Sequence, residues 1–490
     1  MSRVRRFASQ DALLGAGVFV TSLGILLFRF LVPRPVGFSD NGDGWRVLCQ
    51  VGAHELGGPS TDFFVRFHYK ATPVCPDVNY VTSHLWPAKL SQLAGRVLGT
   101  APGLNLVLLG GVYCLAVATG ITLVVMGLRT ALRWRLVAAT ALLLLLGDSA
   151  FFGYFASVTT EGASFLGITV TVGGLLLMCR DGRWRYTGAA VTTVGGVVLC
   201  NTKMQAVILL PFLVVAVLLL RKGGQQGWAR WGLPVLVAVA VSGVTGFLQL
   251  SSATGLPGSD TREINSYHAV FNTVLDGKHD ARADLRALGL PESFERYRGT
   301  MHWGPGNAQN DPLWPQYRGK FTAENLMNFY LTHPWRTVGI LDRAAEDLLT
   351  LRPEASGSFG ENQGFAPKAQ EWRVPVLSGL MRLAAPFGLV VLLPLWLMTG
   401  YAAVRFWRNR REFCVIVLMV LCMALVQFLV AGLGEGIENV KHQVIAAFAT
   451  MFAGMIAAFG LFPRPDEWSG RVEKPTEPAD EVGVSEFVTA

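Results

Sequence analysis

Ser39-Asp40-Asn41-Gly42-Asp43-Gly44-Trp45-Arg46 stands a few residues beyond an apolar segment, 12 to 32, that is long enough to cross a membrane. Two carboxylates and an arginine at the mouth of a membrane bundle point to chemistry there. The glycines let the backbone turn sharply, so both Asp side chains can face one small site. An ordinary solvated turn has the same composition, and only the rest of the chain separates the two.

Of 490 residues, 51% are hydrophobic and 16% charged, a composition close to that of polytopic membrane proteins. A span needs about 20 apolar residues to cross the hydrocarbon. Candidate stretches lie near 12–32, 104–127, 136–150, 163–179, 186–200, 205–220, 232–250, 384–404, 412–433 and 442–462. The sequence thus predicts an all-α polytopic membrane protein with about ten transmembrane helices.

Short cytoplasmic loops carry the excess of Lys and Arg. With the N-terminus inside, the inside segments hold Arg3/Arg5/Arg6, Arg129/Arg133/Arg135, Arg180/Arg183/Arg185, Arg221/Lys222/Arg230 and Arg405/Arg408/Arg410/Arg411. The alternate loops carry no such cluster. This pattern places the chain in the plasma membrane as a multi-pass protein with both termini cytoplasmic. It also accounts for the formal charge of +8 without a nucleic-acid partner, and basic inner loops suit anionic lipid headgroups. The Arg-flanked first segment is long and has no Ala-x-Ala site, so it is expected to be an uncleaved helix.

The organisation expected is an N-terminal transmembrane module over 1–250, whose first outside loop (33–102) is long. An extracytoplasmic lid over 251–383, C-terminal spans over 384–462 and a disordered cytoplasmic tail over 463–490 follow. Within the first loop, Trp45 to Leu56 and Val81 to Leu98 read as short surface helices, the second broken at Trp86 and Pro87. Seven Cys show no metal spacing, and only Cys49 and Cys75 share an outside loop and could pair.

Polar residues interrupt the apolar sequence at Asp148, Tyr154, Glu161, Asn201, Lys203, Gln205, Glu435, Glu438, Lys441 and His442, all at outside ends of predicted helices. Charge near hydrocarbon is costly and is normally paired, solvated or functional. Each residue alone reads equally as a helix cap or an interfacial anchor. The 147–161 link, aromatic with a carboxylate near each end, could hold a hydroxylated substrate. Lys203 could neutralise a phosphate as a point charge, and Lys441 with His442 could bind a lipid phosphate.

This arrangement resembles the GT-C glycosyltransferases, polytopic enzymes that take sugars from polyprenyl-phosphate donors. More narrowly, it resembles the bacterial glycan-biosynthesis hexose transferase family associated with surface-layer glycans. The matching pieces are Asn41-Gly42-Asp43-Gly44-Trp45-Arg46, the Asp148 to Glu161 link, Lys203-Met204-Gln205 and Tyr267 to Leu275. Asp284 to Pro291, Tyr297-Arg298-Gly299-Thr300 and Tyr330-Leu331-Thr332-His333-Pro334 complete them. The 156–160 stretch departs from the family pattern.

The resemblance implies hexose transfer to a cell-surface glycan or lipid-linked acceptor on the extracytoplasmic face, with inversion. Asp43 or Asp40 would be the base, and Asp43 is preferred because Arg46, one helical turn onward, could orient it or meet the donor phosphate. Asp148, Tyr154, Glu161, Gln205 and Glu438 would contact substrate, while Lys203, Lys441 and His442 would offset the leaving phosphate. A divalent cation could bridge Asp40 or Asp43 to phosphate, although no spacing demands one. The competing expectations are a transporter or flippase of a lipid-linked saccharide and a non-catalytic assembly protein.

Overall fold

A computed structural model of the chain describes residues 2–54, 63–75, 80–220, 228–253 and 258–462, with backbone alone for 2–10, 228–230, 251–253 and 258–262. The predicted tail (463–490), the Arg221/Lys222/Arg230 cluster and the side chains of Arg3, Arg5 and Arg6 lie outside the described residues.

The first half contains α1 (Ser2–Leu31), α2 (Trp45–Gln50), β1 (His68–Lys70), α3 (Leu85–Val97), β2 (Gly103–Asn105), α4 (Leu106–Gly127), α5 (Leu132–Leu146), α6 (Glu161–Met178), α7 (Arg183–Cys200), α8 (Leu210–Leu219) and α9 (Trp228–Ala253). The second half contains α10 (Gly258–His268), α11 (Ala281–Ala287), α12 (Trp314–Tyr317), α13 (Ala323–Thr332), α14 (Pro334–Thr350), α15 (Val376–Ala384), α16 (Gly388–Arg405), α17 (Trp407–Gly434) and α18 (Asn439–Phe459). The two strands form a small antiparallel ribbon that pairs Tyr69 with Leu104.

Each of the ten predicted apolar stretches contains an α-helix. Seven segments among the described residues are long and apolar enough to cross a membrane: Asp11–Leu31, Leu106–Gly127, Glu161–Met178, Trp231–Leu250, Val376–Arg405, Trp407–Gly434 and Asn439–Phe459. The protein is an all-α polytopic membrane protein. The other three stretches fall short for local reasons. Helix α5 stops at Leu146 because Gly147-Asp148 turns the chain; α7 carries Arg183 and Arg185 in its first turn; α8 starts only after the polar break at 201–203 and a 3-10 turn, Met204–Leu209. Pro87 does not break the surface helix. It sits in the first turn of α3, where a missing N–H costs nothing.

Helix α6 is buried along almost its whole length. Small residues make this possible: a Cβ on Gly174 would lie 2.5 Å from the Thr192 nitrogen, and one on Gly188 would lie 2.2 Å from that of Met178. Glycine therefore lets the α6 and α7 backbones approach closely, as in membrane helix pairs generally. At one end of the bundle Asp11 of α1 accepts from Arg135 (2.9 Å) and Arg180 (3.1 Å). Glu161 begins α6 at the opposite end.

Residues 267–340 form a second apolar core around Tyr267, Phe271, Phe294, Phe321 and Phe329. It rests on the α17–α18 turn: Tyr330 donates to the Leu433 carbonyl (2.9 Å) and Thr273 to that of Glu435 (3.1 Å). Gly436 lies directly on His268, where a Cβ would be 2.0 Å from the carbonyl oxygen. Farther along, residues 357–374 return to the first half. Gly37 N donates to Ser358 O (3.1 Å), Ser39 N to Gly357 O (3.0 Å) and Ser149 N to Val374 O (2.9 Å). That strap fixes the backbone immediately before Asp40.

Candidate functional site

The Asp40–Arg46 run is a tight turn with a built-in acceptor. Asp40 Oδ1 takes hydrogen bonds from Gly42 N (3.0 Å) and Gly44 N (2.9 Å). Gly42 has φ +105°, a value that favours glycine, and a Cβ on Gly44 would lie 2.1 Å from Val158. The turn is thereby pressed against the 157–160 link. Burial raises the Asp40 carboxyl above its ordinary range, partly opposed by the two glycine amides.

Asp43 points the other way, into the N-terminal turn of α18. Its carboxylate accepts from Lys441 Nζ, which also donates to Asn41 Oδ1 (2.7 Å) and lies 3.6 Å from Glu438. Asn41 in turn donates to Glu438, which stands before α18 with φ +54°, an uncommon conformation for a non-glycine residue. Lys441 is 2% exposed, whereas the Asp43 side chain keeps 56% of its surface open. Burial pushes the Asp43 carboxyl upward, but the Lys441 ammonium overrides it and holds the group well below the usual range, with help from His442 and Lys203.

On the other wall, Lys203 Nζ donates to Glu161 Oε1 (2.6 Å), Gln205 donates to Glu435, and His442 Nε2 lies 3.9 Å from Glu435. Several atoms here are buried with no hydrogen-bond partner: Glu161 Oε2, Gln205 Oε1, His442 Nδ1, Tyr154 OH and Arg46 Nε. Such atoms normally find partners, so a cluster of them suits a polar ligand.

Asp40, Asp43, Glu161, Lys203, Gln205, Glu438, Lys441 and His442 thus gather at one end of the bundle. Three of the sequence-expected residues lie differently. Arg46 does not pair with Asp43; its guanidinium lies 5.7 Å from both the Trp45 and Tyr80 rings. Helix α2 starts only at Trp45, so the one-turn spacing from Asp43 never becomes a helical neighbour pair. Asp148 is spent as a helix cap, accepting from Ala150 N (2.9 Å), Leu377 N (2.8 Å) and Ser378 N (3.2 Å). Tyr154 is wholly buried, its ring stacked on Phe38 at 4.0 Å, and only its unpartnered hydroxyl offers a contact.

Three members of the cluster fall outside the sequence-expected site: Asn41, Tyr80 and Glu435. Asn41 sits inside the quoted run and Glu435 among the helix-end polar residues, but nothing in the sequence marks Tyr80. Burial holds the Tyr80 hydroxyl at about 12, eased by the nearby Arg46.

Glu435 carries a pH signature. Burial raises its carboxyl to about 7, opposed by Lys203 and Lys441 and reinforced by Asp43. An acid whose folded value is raised contributes stability below its unfolded value, near 4.5, and loses it as pH rises through about 7. Glu435→Gln is therefore expected to gain thermal stability relative to wild type between pH 5 and 8, by about 2–4 °C in unfolding midpoint. Parallel melting curves across that range would exclude this role for Glu435.

The oxygen set around Lys441 does not also fit a divalent ion. Asn41 Oδ1, Asp43 Oδ2 and Glu438 Oε2 already close on the Lys441 ammonium. The described residues offer one metal-type group, Cys49, His54 and Cys75, and there the two cysteines form a disulfide with Cα atoms 5.1 Å apart.

Fold and site together define a multi-span, all-α membrane protein with a charged centre at one end of its bundle. Residues 3–475 match the family model described as the YfdI N-terminal transmembrane domain, and the chain belongs to that family. No curated protein matches it closely enough to count as a relative. Among solved structures it is similar to the oligosaccharyltransferase of Archaeoglobus fulgidus. The complex with Zn and sulfate shares 13% identity and a TM-score of 0.40, covering 90% of this chain and 48% of that one. The form tethered to an acceptor peptide shares 14% and 0.37, over 90% and 49%, and the apo form 12% and 0.36, over 90% and 50%. The chain spans about half the length of those structures.

Proposed function

We propose that this chain is an integral membrane glycosyltransferase of the GT-C type. It moves a hexose from a polyprenyl-phosphate donor to a glycan or lipid-linked acceptor on the extracytoplasmic face of the plasma membrane, with inversion at the anomeric carbon. The observation that carries the reading is the convergence of Asp40, Asp43, Glu161, Lys203, Glu438 and Lys441 from four separate segments on one end of the bundle. The sequence resemblance of the same segments supports it.

Inverting transfer needs one base. The acceptor hydroxyl oxygen bonds to the anomeric carbon as the bond from that carbon to the phosphate oxygen breaks; the phosphate keeps the electron pair and the hydroxyl proton passes to the base. Asp43 is committed to Lys441 and holds a proton weakly. Asp40, buried and without a lysine partner of its own, is the stronger proton acceptor. This order of the two aspartates is the reverse of the one expected from Arg46 standing one helical turn beyond Asp43. Lys203, Lys441 and the N-terminus of α18 supply a positive field for the leaving phosphate. The unpartnered atoms of Arg46, Glu161 and Tyr154 are free to meet phosphate or sugar hydroxyls.

Sealed right-side-out vesicles test both activity and side. Wild type should transfer radiolabelled sugar from a polyprenyl-phosphate donor to an acceptor confined outside, and a cysteine placed at residue 43 should react with an impermeant reagent added there. Movement of intact donor across the bilayer without transfer would favour a transporter. Labelling only from the cytoplasmic side would overturn the proposed sidedness.

A further inference from the structure

Lys441 is buried to 2% exposure, and three side-chain oxygens converge on its Nζ: Asn41 Oδ1 at 2.7 Å, Asp43 Oδ2 in contact and Glu438 Oε2 at 3.6 Å. These oxygens come from two segments nearly 400 positions apart, joined again by the hydrogen bond from Asn41 to Glu438. Two carboxylates and an amide around a central cation are the donor set of a hard divalent ion. Here the centre of that set is an ammonium, which is anchored to α18 and cannot be washed out.

We infer that the Lys441 ammonium is this centre's own fixed cation, standing where a divalent metal would otherwise sit among Asn41, Asp43 and Glu438. The inference rests on the reading of this cluster as the catalytic centre, but it concerns only how the cluster is neutralised. A metal ion would have to sit beside the ammonium, and the two positive charges would compete for the same oxygens. The fixed cation orients Asp43 and Glu438 and leaves Asp40 to handle the proton. Glu438, the N-cap residue of α18, makes no capping hydrogen bond with its side chain and instead places its carboxylate 3.6 Å from the Lys441 ammonium.

The test titrates Mn²⁺ into the purified full-length protein in nanodiscs and follows free Mn²⁺ by electron paramagnetic resonance, with no substrate present. Wild type should leave Mn²⁺ free up to millimolar concentration. Lys441→Ala should bind one equivalent at least tenfold more tightly than wild type, and the added Asp43→Asn change should abolish that binding. Stoichiometric Mn²⁺ binding by wild type that disappears in Asp43→Asn overturns the inference, as does a folded Lys441→Ala that binds none. Should Lys441→Ala not survive extraction, the wild-type and Asp43→Asn titrations decide alone. Because the readout needs no transfer, a failure of the glycosyltransferase reading would show separately, as absence of sugar transfer by wild type.

Discussion

Glu371→Ala is expected to destabilise the protein by about 3–5 kcal/mol, the range for stranding one partner of a buried ion pair. Glu371 is 1% exposed and accepts from Arg29 near the end of α1; Arg29 also donates to the Gly147 carbonyl (3.3 Å) and Ser149 Oγ (3.4 Å). Arg352 donates to the Glu371 carbonyl and to Ser358 Oγ (2.9 Å). One carboxylate therefore ties α1, the 147–161 link and the strap that holds Ser39. Its removal leaves the Arg29 guanidinium buried without a counter-ion. It also loosens the backbone leading into Asp40, so the loss should appear in the unfolding midpoint and in transfer together. Glu371→Gln, which keeps the shape and one acceptor, should cost less. A midpoint unchanged in Glu371→Ala would show that the network does not hold the strap.

Asp40→Asn is expected to lower the turnover number by about 10²–10⁴, the usual worth of a positioned general base, with little change in KM. Its acid limb carries a further signature. Because burial raises the Asp40 carboxyl above the ordinary value of 3.8, wild-type activity should fall on acidification at a pH above the normal carboxylate range, and the residual activity of Asp40→Asn should lack that limb. Asp43→Asn should behave differently: it leaves Lys441 with one carboxylate fewer and disturbs the geometry, but the acid limb set by Asp40 should remain. Identical pH profiles for the two variants would remove the distinction drawn between them.

The membrane spans were legible because an apolar run of about 20 residues has few other solutions in a chain of this composition. Where polar residues trimmed such a run, as Gly147-Asp148 trims α5 and residues 201–203 shorten α8, the element survived but its length did not. The polar residues of the site were legible as interruptions at the helix ends. Their pairing was not. Lys203 meets Glu161 across 42 positions and Lys441 meets Asp43 across 398, and no local period encodes either contact. Local spacing misled at Arg46, since the helix that would bring it beside Asp43 begins at Trp45, two residues too late to include Asp43. Asp148 looked like a site residue for the reason that made Glu161 look like one, a carboxylate at a span end. The difference lies 229 positions away, in the α15 amides that Asp148 caps.

The central claim is that Asp40, beside the Asp43–Lys441 pair, takes the proton from an acceptor hydroxyl as sugar leaves a polyprenyl phosphate. The most direct measurement is transfer of radiolabelled hexose from a panel of polyprenyl-phosphate donors in membranes carrying wild type, Asp40→Asn or Asp43→Asn at matched abundance. Wild type should transfer from at least one donor, Asp40→Asn should retain no more than about one hundredth of that rate, and Asp43→Asn should be impaired. Full activity in Asp40→Asn, or no transfer by wild type from any donor, would contradict the account.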